Sequence, residues 1–470
     1  MANILPNNSE KNEFYSSIDH FIKQFTVGTL LNRSNIKKEE GVSVTAIVTF
    51  LFTVAFHGGK SMNQLVNDSE RQPGFKKDTV NRFLKNERFN WRTFLLLLSE
   101  KVIATLIPYV QEDNERVLIL DDSMFSRNRS KKVELLAKNY DHASGKYMKG
   151  FRMLTLGWSD GFTFIPLAKS FLSSKKKANR LSEADERVDK RTVGYKRRQE
   201  AQKKATETMF DLLNALPLNR LKANTILFDS WFGHAAVIKQ VVTDYPLQVI
   251  CMIKPMRATY GYQGQRYTLK ELYAHLKKKR GRAIIKAEAI VSLGLNDKGE
   301  EIHAKIIFVK NRNSKGKRNW LALLSTDTEL ENEEIIRLYG KRWDIETFFK
   351  YCKSYLQLGK EVYGRKYDIM IAHTTIVFMR YIFFALASRN EQDPRTIGDL
   401  FYMECDELEN IRFTKSLSLL LHALKELLEG EFVLSEQQVT KLLDQLIETL
   451  PTSFKEILSG NQPNQAYSTV

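Results

Sequence analysis

The sequence predicts an α/β protein in which a central sheet is flanked by helical segments, and three observations predict it. Residues 13–108 carry helical periodicity throughout, and residues 361–470 carry it again. Between them lie short β-branched runs, several of which stop at an acidic residue. A further group of strand-like runs, separated by turn signals, precedes one more amphipathic stretch, Ile335–Leu358.

Composition narrows the function. A chain of 470 residues is too long for one ordinary core, so two to four domains are expected. Lys and Arg number 72 against 55 Asp and Glu, a formal charge of +17 with an isoelectric point near 9.5. That excess suits a polyanionic partner, nucleic acid above all. Cys251, Cys352 and Cys405 lie far apart with no CxxC or Cys/His cluster, which argues against a disulfide framework or a zinc site. No basic-then-apolar leader opens the chain. The most apolar runs, Val44–Phe56 and Thr374–Ala387, are shorter than a bilayer span, and Arg380 interrupts the second. A cytosolic, nucleoid-associated protein is expected.

In order, residues 1–12 are polar and expected to fray. Helices follow at Val44–Phe56, Ser61–Asn67, Lys77–Leu84 and Trp91–Leu106. Lys76, Lys77, Arg82, Lys85 and Arg88 on the short helices would suit DNA contact, so residues 1–110 are read as a helical DNA-binding domain. Val117–Leu120 reads as a buried strand ending in Asp121-Asp122-Ser123. Phe151–Trp158 and Phe162–Phe171 read as strands joined by the hairpin signal Ser159-Asp160-Gly161. The stretch Lys175–Lys204 holds twelve Lys/Arg against five Asp/Glu and leads into a helix ending near Leu216. Strand Thr225–Phe228 again stops at an acid, Asp229, before a helix (Ala235–Thr243) and a strand (Leu247–Ile253).

Three strands, helix, strand, helix, strand is the ribonuclease-H-like order, which needs a last helix against the sheet. The residues that follow are not that helix. Ala283–Ser292, His303–Lys310 and Asn319–Ser325 read as strands of a β-rich insertion. The delayed helix is then Ile335–Leu358, which places the core at residues 111–254 and 329–360, the insertion at 255–328, and a helical C-terminal domain at 361–470. At about 100° per residue, Tyr339, Arg342, Glu346 and Lys353 fall within about 60° on one face of that helix. In this order the first and fourth strands are neighbours, so the acids ending them would meet, and the helix could bring Glu346 to them. Clustered carboxylates are costly unless a cation lies between them. Oxygen donors without His or Cys favour Mg²⁺ or Mn²⁺, a pair of which about 4 Å apart can hold the attacking and leaving oxygens of a phosphodiester.

The blocks LILDDSMF and ILFDSWFGH, with Tyr339-x₂-Arg342-x₃-Glu346-x₆-Lys353, resemble the catalytic blocks of the DDE transposases of bacterial insertion sequences. The resemblance is to the insertion-sequence-four family, with its Tyr-Arg-Glu-Lys signature and β-rich insertion, and it covers roughly residues 115–360. It implies that Asp122, Asp229 and Glu346 ligate the catalytic metals, Asp122 being preferred over Asp121 because it directly precedes a hydroxyl residue, Ser123. It further implies that Tyr339, Arg342 and Lys353 hold DNA phosphates, and that Trp320 stacks on a flipped base, although a sandwiched core position is open to Trp320 as well. The implied activity is cut-and-paste transposition: hydrolytic nicking, hairpin formation, hairpin opening and joining of the 3′-hydroxyl to target DNA, by a homodimer holding two double-stranded ends. The basic segments Lys175–Lys204, Lys277–Arg282 and Arg312–Arg318 are expected at phosphates, and the C-terminal helices Leu417–Leu428 and Val439–Leu450 are candidates for the dimer interface. A nuclease of the same fold that never joins strands, or an inert DNA-binding descendant, are the alternatives.

Overall fold

Apolar β-branched runs buried on both faces make the centre of the sheet, as parallel strands between helical layers require. The computed structural model describes residues 17–389 except 59, 68–72, 111–114, 142–144, 280–282, 312–319 and 362–363, together with 438, 441, 442, 445 and 448. The expected fraying of residues 1–12, the basic segment Arg312–Arg318 and the helix Leu417–Leu428 lie outside the described residues, as does Val439–Leu450 but for four positions.

Six helices come first: α1 (Ser17–Gln24), α2 (Val27–Arg33), α3 (Val44–Thr53), α4 (Met62–Val66), α5 (Lys77–Leu84) and α6 (Trp91–Leu106). Their starts are set by side chains that satisfy the first free N–H groups. Ser43 accepts from the Ala46 N–H, Asn90 accepts from the Thr93 N–H, and Ser61 with Gln64 forms a capping box. The strands β1 (Val117–Ser126), β2 (Ala137–Asp141), β3 (Lys146–Ser159) and β4 (Phe164–Leu172) follow. Next come α7 (Val193–Glu200), α8 (Ala205–Leu213), α9 (Leu218–Leu221), β5 (Thr225–Phe228), α10 (Ala235–Asp244) and β6 (Gln248–Ile253). Then β7 (Thr259–Tyr262), β8 (Gln265–Thr268), α11 (Leu269–His275), β9 (Ile285–Leu295), β10 (Glu301–Lys310) and β11 (Trp320–Ser325) lead to α12 (Asn332–Gly340), α13 (Trp343–Ser354) and α14 (Tyr367–Ala387).

All eleven strands belong to one sheet. β3 pairs antiparallel with β1 on one edge and with β2 and β4 on the other, while β1, β5 and β6 run parallel. A large mixed sheet of this order fits the ribonuclease-H-like nuclease fold. Beyond β6 the sheet continues through β11, β10, β9, β7 and β8, because β11 pairs antiparallel with β6. The strands expected as an insertion therefore extend the central sheet. Buried apolar residues from Ile18 to Leu386 form one continuous cluster.

Three differences from the sequence reading have local causes. The hairpin β7–β8 went unread, yet its signal is present: alternating residues flank Gln263-Gly264, both at positive φ (49° and 75°) as a tight hairpin turn requires. The stretch Ile335–Leu358 is two helices, because the chain tightens at Gly340-Lys341-Arg342. There the Lys341, Arg342 and Asp344 N–H groups donate to carbonyls three residues back. The basic stretch Lys175–Lys204 is not all surface. Arg197 and Arg198 of α7 point inward and pair with Asp368 at 2.6 Å, and Arg198 also grips Glu134 at 2.5 Å.

The long helix α14 pins the arrangement. α14 is long and apolar enough to cross a membrane, longer than the run Thr374–Ala387 suggested, but it lies wholly inside the fold. Arg380 within it is fully buried and ion-pairs with Glu361 at 2.7 Å. It also donates to the carbonyls of Leu356 (3.0 Å), Phe52 (2.8 Å) and Leu51. One guanidinium thus ties α3 to the chain just beyond α13. His373, kept neutral by burial, faces Glu361 and accepts from the Gly359 N–H. Replacing Arg380 by Met leaves Glu361 buried without its cation, and should cost about 3–5 kcal/mol of stability. A thermal or urea unfolding midpoint unchanged from wild type would contradict this role.

Candidate active site

The parallel pairing of β1 with β5 sets the site. Its register runs from Val117 opposite Thr225 to Leu120 opposite Phe228, so the next residues on the two strands are Asp121 and Asp229. Beyond Phe228 the chain turns. Asp229 Oδ1 accepts the Trp231 N–H at 2.8 Å, Phe232 is buried against Phe228, and Gly233 approaches the Met252 carbonyl so closely that a Cβ would clash. α13 is held by its other face: Phe348 lies 5.0 Å from Phe164, 4.8 Å from Phe378 and 4.6 Å from Tyr381, ring centre to ring centre.

These elements surround a cleft of about 980 Å³ whose wall includes Asp121, Asp122, Asp229 and Glu346 together with Arg152, Lys254, Lys350, Lys353 and Lys360. Arg342 bridges two of the acids, donating to Asp121 at 3.1 Å and to Glu346 at 2.6 Å. Lys353 reaches Ser123 at 2.7 Å, one strand alternation from Asp121. Asp122 looks the other way. Arg152 of β3 donates to both of its oxygens, at 2.6 and 2.9 Å. The structure thus brings all four acids to one cleft. Asp121, however, and not the expected Asp122, shares the Asp229 row and the Arg342–Glu346 bridge.

Tyr339 is partly buried beside Arg342, its enclosed hydroxyl has no hydrogen-bond partner among the described residues, and burial holds that phenol protonated far above its usual range. A buried phenol with no acceptor is a ready donor. Burial lowers the Lys353 ammonium, and the Arg342 guanidinium stays firmly charged because Tyr339, Asp121 and Glu346 outweigh its burial. Of the two positions open to Trp320, the packing favours the core one. Only 6% exposed, it packs 5.0 Å from both Tyr273 and Phe308 and is not part of the cleft wall, so the stacking role gives way to the core position. Sequence reasoning missed Arg152 and Trp231. Trp231 stood in the motif beside Asp229, but nothing in the sequence places Arg152 diagonally across from Asp122.

Among the described residues, no three His, Cys, Asp or Glu side chains are gathered closely enough to hold a metal ion, and two arginines meet the acids instead. The donor chemistry nevertheless fits a hard divalent cation. Burial, with Asp122 and Asp229 nearby, pushes the Asp121 carboxyl up to about 7 against the pull of Arg342. A cation at that position would relieve the repulsion.

A raised carboxyl costs stability once it ionises. Between about pH 4 and 7 the folded protein keeps a proton on Asp121 that the unfolded chain has lost, so stability from this group rises as pH falls. In chelator, the melting temperature of wild type relative to Asp121→Asn should therefore rise from pH 8 to pH 5. A flat difference would show that Asp121 carries no such burden.

No curated protein matches the chain. The family model described as DDE superfamily endonuclease matches residues 52–290, just over half of the sequence. The match takes in Asp121, Asp122 and Asp229 and ends before Glu346. Domains of this kind generally use divalent metals, and the family implies DNA as substrate. The chain belongs to the DDE superfamily of endonucleases, of transposase or nuclease function.

Proposed function

We propose that the chain is a cut-and-paste transposase of a bacterial insertion sequence, in the insertion-sequence-four subgroup. The observation that carries this reading is the meeting of Asp121, Asp229 and Glu346 in one cleft, with Asp121 and Asp229 following the paired stretch of two adjacent parallel strands and Arg342 bridging Asp121 to Glu346. Within that reading, Asp121, Asp229 and Glu346 would hold Mg²⁺ or Mn²⁺. Asp122, first favoured because it adjoins Ser123, is occupied by Arg152. Bound there, divalent metal would supply a nucleophilic water and neutralise charge building on the phosphate.

The chain's own groups serve the DNA. Arg342, Lys353 and the Tyr339 hydroxyl donate to phosphates beside the scissile bond, and Lys254, Lys350 and Lys360 draw the strand into the cleft. Water displaces the 3′-oxygen at the element's end and releases a 3′-hydroxyl. That hydroxyl attacks the opposite strand to close a hairpin, a second water reopens it, and the freed 3′-hydroxyl joins target DNA. A homodimer would hold both ends.

Duplex carrying the element's own ends, incubated with Mg²⁺, tests the proposal. Wild type should nick, form hairpins and yield strand-transfer products. Cleavage without joining at any target would favour the nuclease of the same fold. Glu346→Gln should lower cleavage by at least about 100-fold while end binding persists. Cleavage surviving in that variant would remove Glu346 from the site. Arg342→Ala and Lys353→Ala should slow hairpin formation more than first nicking, because only the hairpin step needs a second strand held in the cleft. Equal loss in both steps would contradict their phosphate-holding role.

A further inference from the structure

Arg152 lies in the cleft but outside the Tyr-Arg-Glu-Lys set. β1 and β3 pair with Asp122 opposite Leu154 and Met124 opposite Arg152, so Asp122 and Arg152 are diagonal neighbours on one face of the sheet. Arg152 uses Nε and Nη2 on the two oxygens of Asp122, a two-pronged grip that fixes the plane of the guanidinium. Its Cζ also lies 5.0 Å from the centre of the Trp231 ring. Trp231 is 45% exposed at the cleft wall, while Phe232 beside it is buried and anchors the turn. The guanidinium is therefore held on two sides, and Nη1 donates to no partner among the described residues. Asp122, Asp229 and Asp121 together keep it charged despite burial.

A salt bridge that served folding alone would have no reason to stand in a cleft walled by Lys254, Lys350, Lys353 and Lys360. A carboxylate that aims a guanidinium is a familiar way of presenting a rigid cation to an anion. We propose that Arg152 is a DNA-phosphate contact of this site, with Asp122 as the residue that orients it and Trp231 as the shelf beneath it. Asp122 is then a positioning residue and not a metal ligand. The inference rests on the reading above only in taking DNA as the ligand.

The test uses the full-length protein and a labelled duplex of arbitrary sequence, titrated by fluorescence anisotropy over a range of salt in Ca²⁺. Arg152→Ala should weaken binding about fivefold to tenfold and reduce the salt slope by up to about 1, as loss of one phosphate contact does. Arg152→Lys, which keeps charge without the two-pronged grip, should fall between. Asp122→Asn should lose about twofold to threefold in affinity, and its Mg²⁺-dependent cleavage should fall no further than its binding does. Should Arg152→Ala fold poorly, Arg152→Lys and Asp122→Asn carry the comparison. Unchanged affinity and slope in the arginine variants would reduce the pair to a structural salt bridge. Abolished cleavage with intact binding in Asp122→Asn would make Asp122 a metal ligand and overturn its positioning role. Wild type that cleaves, with binding indifferent to Arg152, defeats this inference alone; wild type that binds no duplex defeats the transposase reading as well.

Discussion

The parallel contact between β1 and β5 is the constraint on which the site depends. Two strands distant in sequence pair in register only because both are apolar on both faces and are enclosed by helices. That pairing puts the residues after Leu120 and Phe228 side by side. Those residues are acids, which so buried a stretch tolerates only where it opens onto the cleft. The helical layer then decides what meets them. α13 rests on Phe164, Phe378 and Tyr381 through Phe348, which leaves its polar side toward the acids.

Charge in this protein is used in two distinct ways. At the core, Arg198 with Glu134 and Asp368, and Arg380 with Glu361, are nearly closed to solvent, and each joins elements far apart in sequence. At the cleft, the arginines are only partly enclosed. Arg342 and Arg152 neutralise acids yet remain within reach of a ligand. The buried cations of the core are matched by buried acids, so the net charge of +17 is left to the rest of the molecule.

Much of this was legible in the sequence. The apolar runs before Asp121 and Asp229 were legible because burial of both faces is a pattern local to each run, although β1 continues past both of its aspartates to Ser126. The polar spacing from Tyr339 to Lys353 was also local. What escaped reading was relational. The choice between Asp121 and Asp122 turns on register with Asp229, which no single stretch encodes. Arg152 acquires meaning only across a strand pair, and the sequence left two positions open to Trp320 because its neighbours Tyr273 and Phe308 lie on other elements. The break at Gly340 was visible as a glycine but outweighed by the periodicity around it.

The sheet extension has a further consequence. The chain leaves the core at the end of β6 and returns on β11, which pairs with β6 itself before α12 begins. Departure and return are thus clamped to each other by backbone hydrogen bonds, and everything between them is a closed excursion. Its outer turns, such as Asn296–Gly299, can lengthen, shorten or take up new recognition surfaces while the approach of Glu346 to the acids stays the same. The segment is a place where a lineage can add or remove chain without retuning the geometry of the acids.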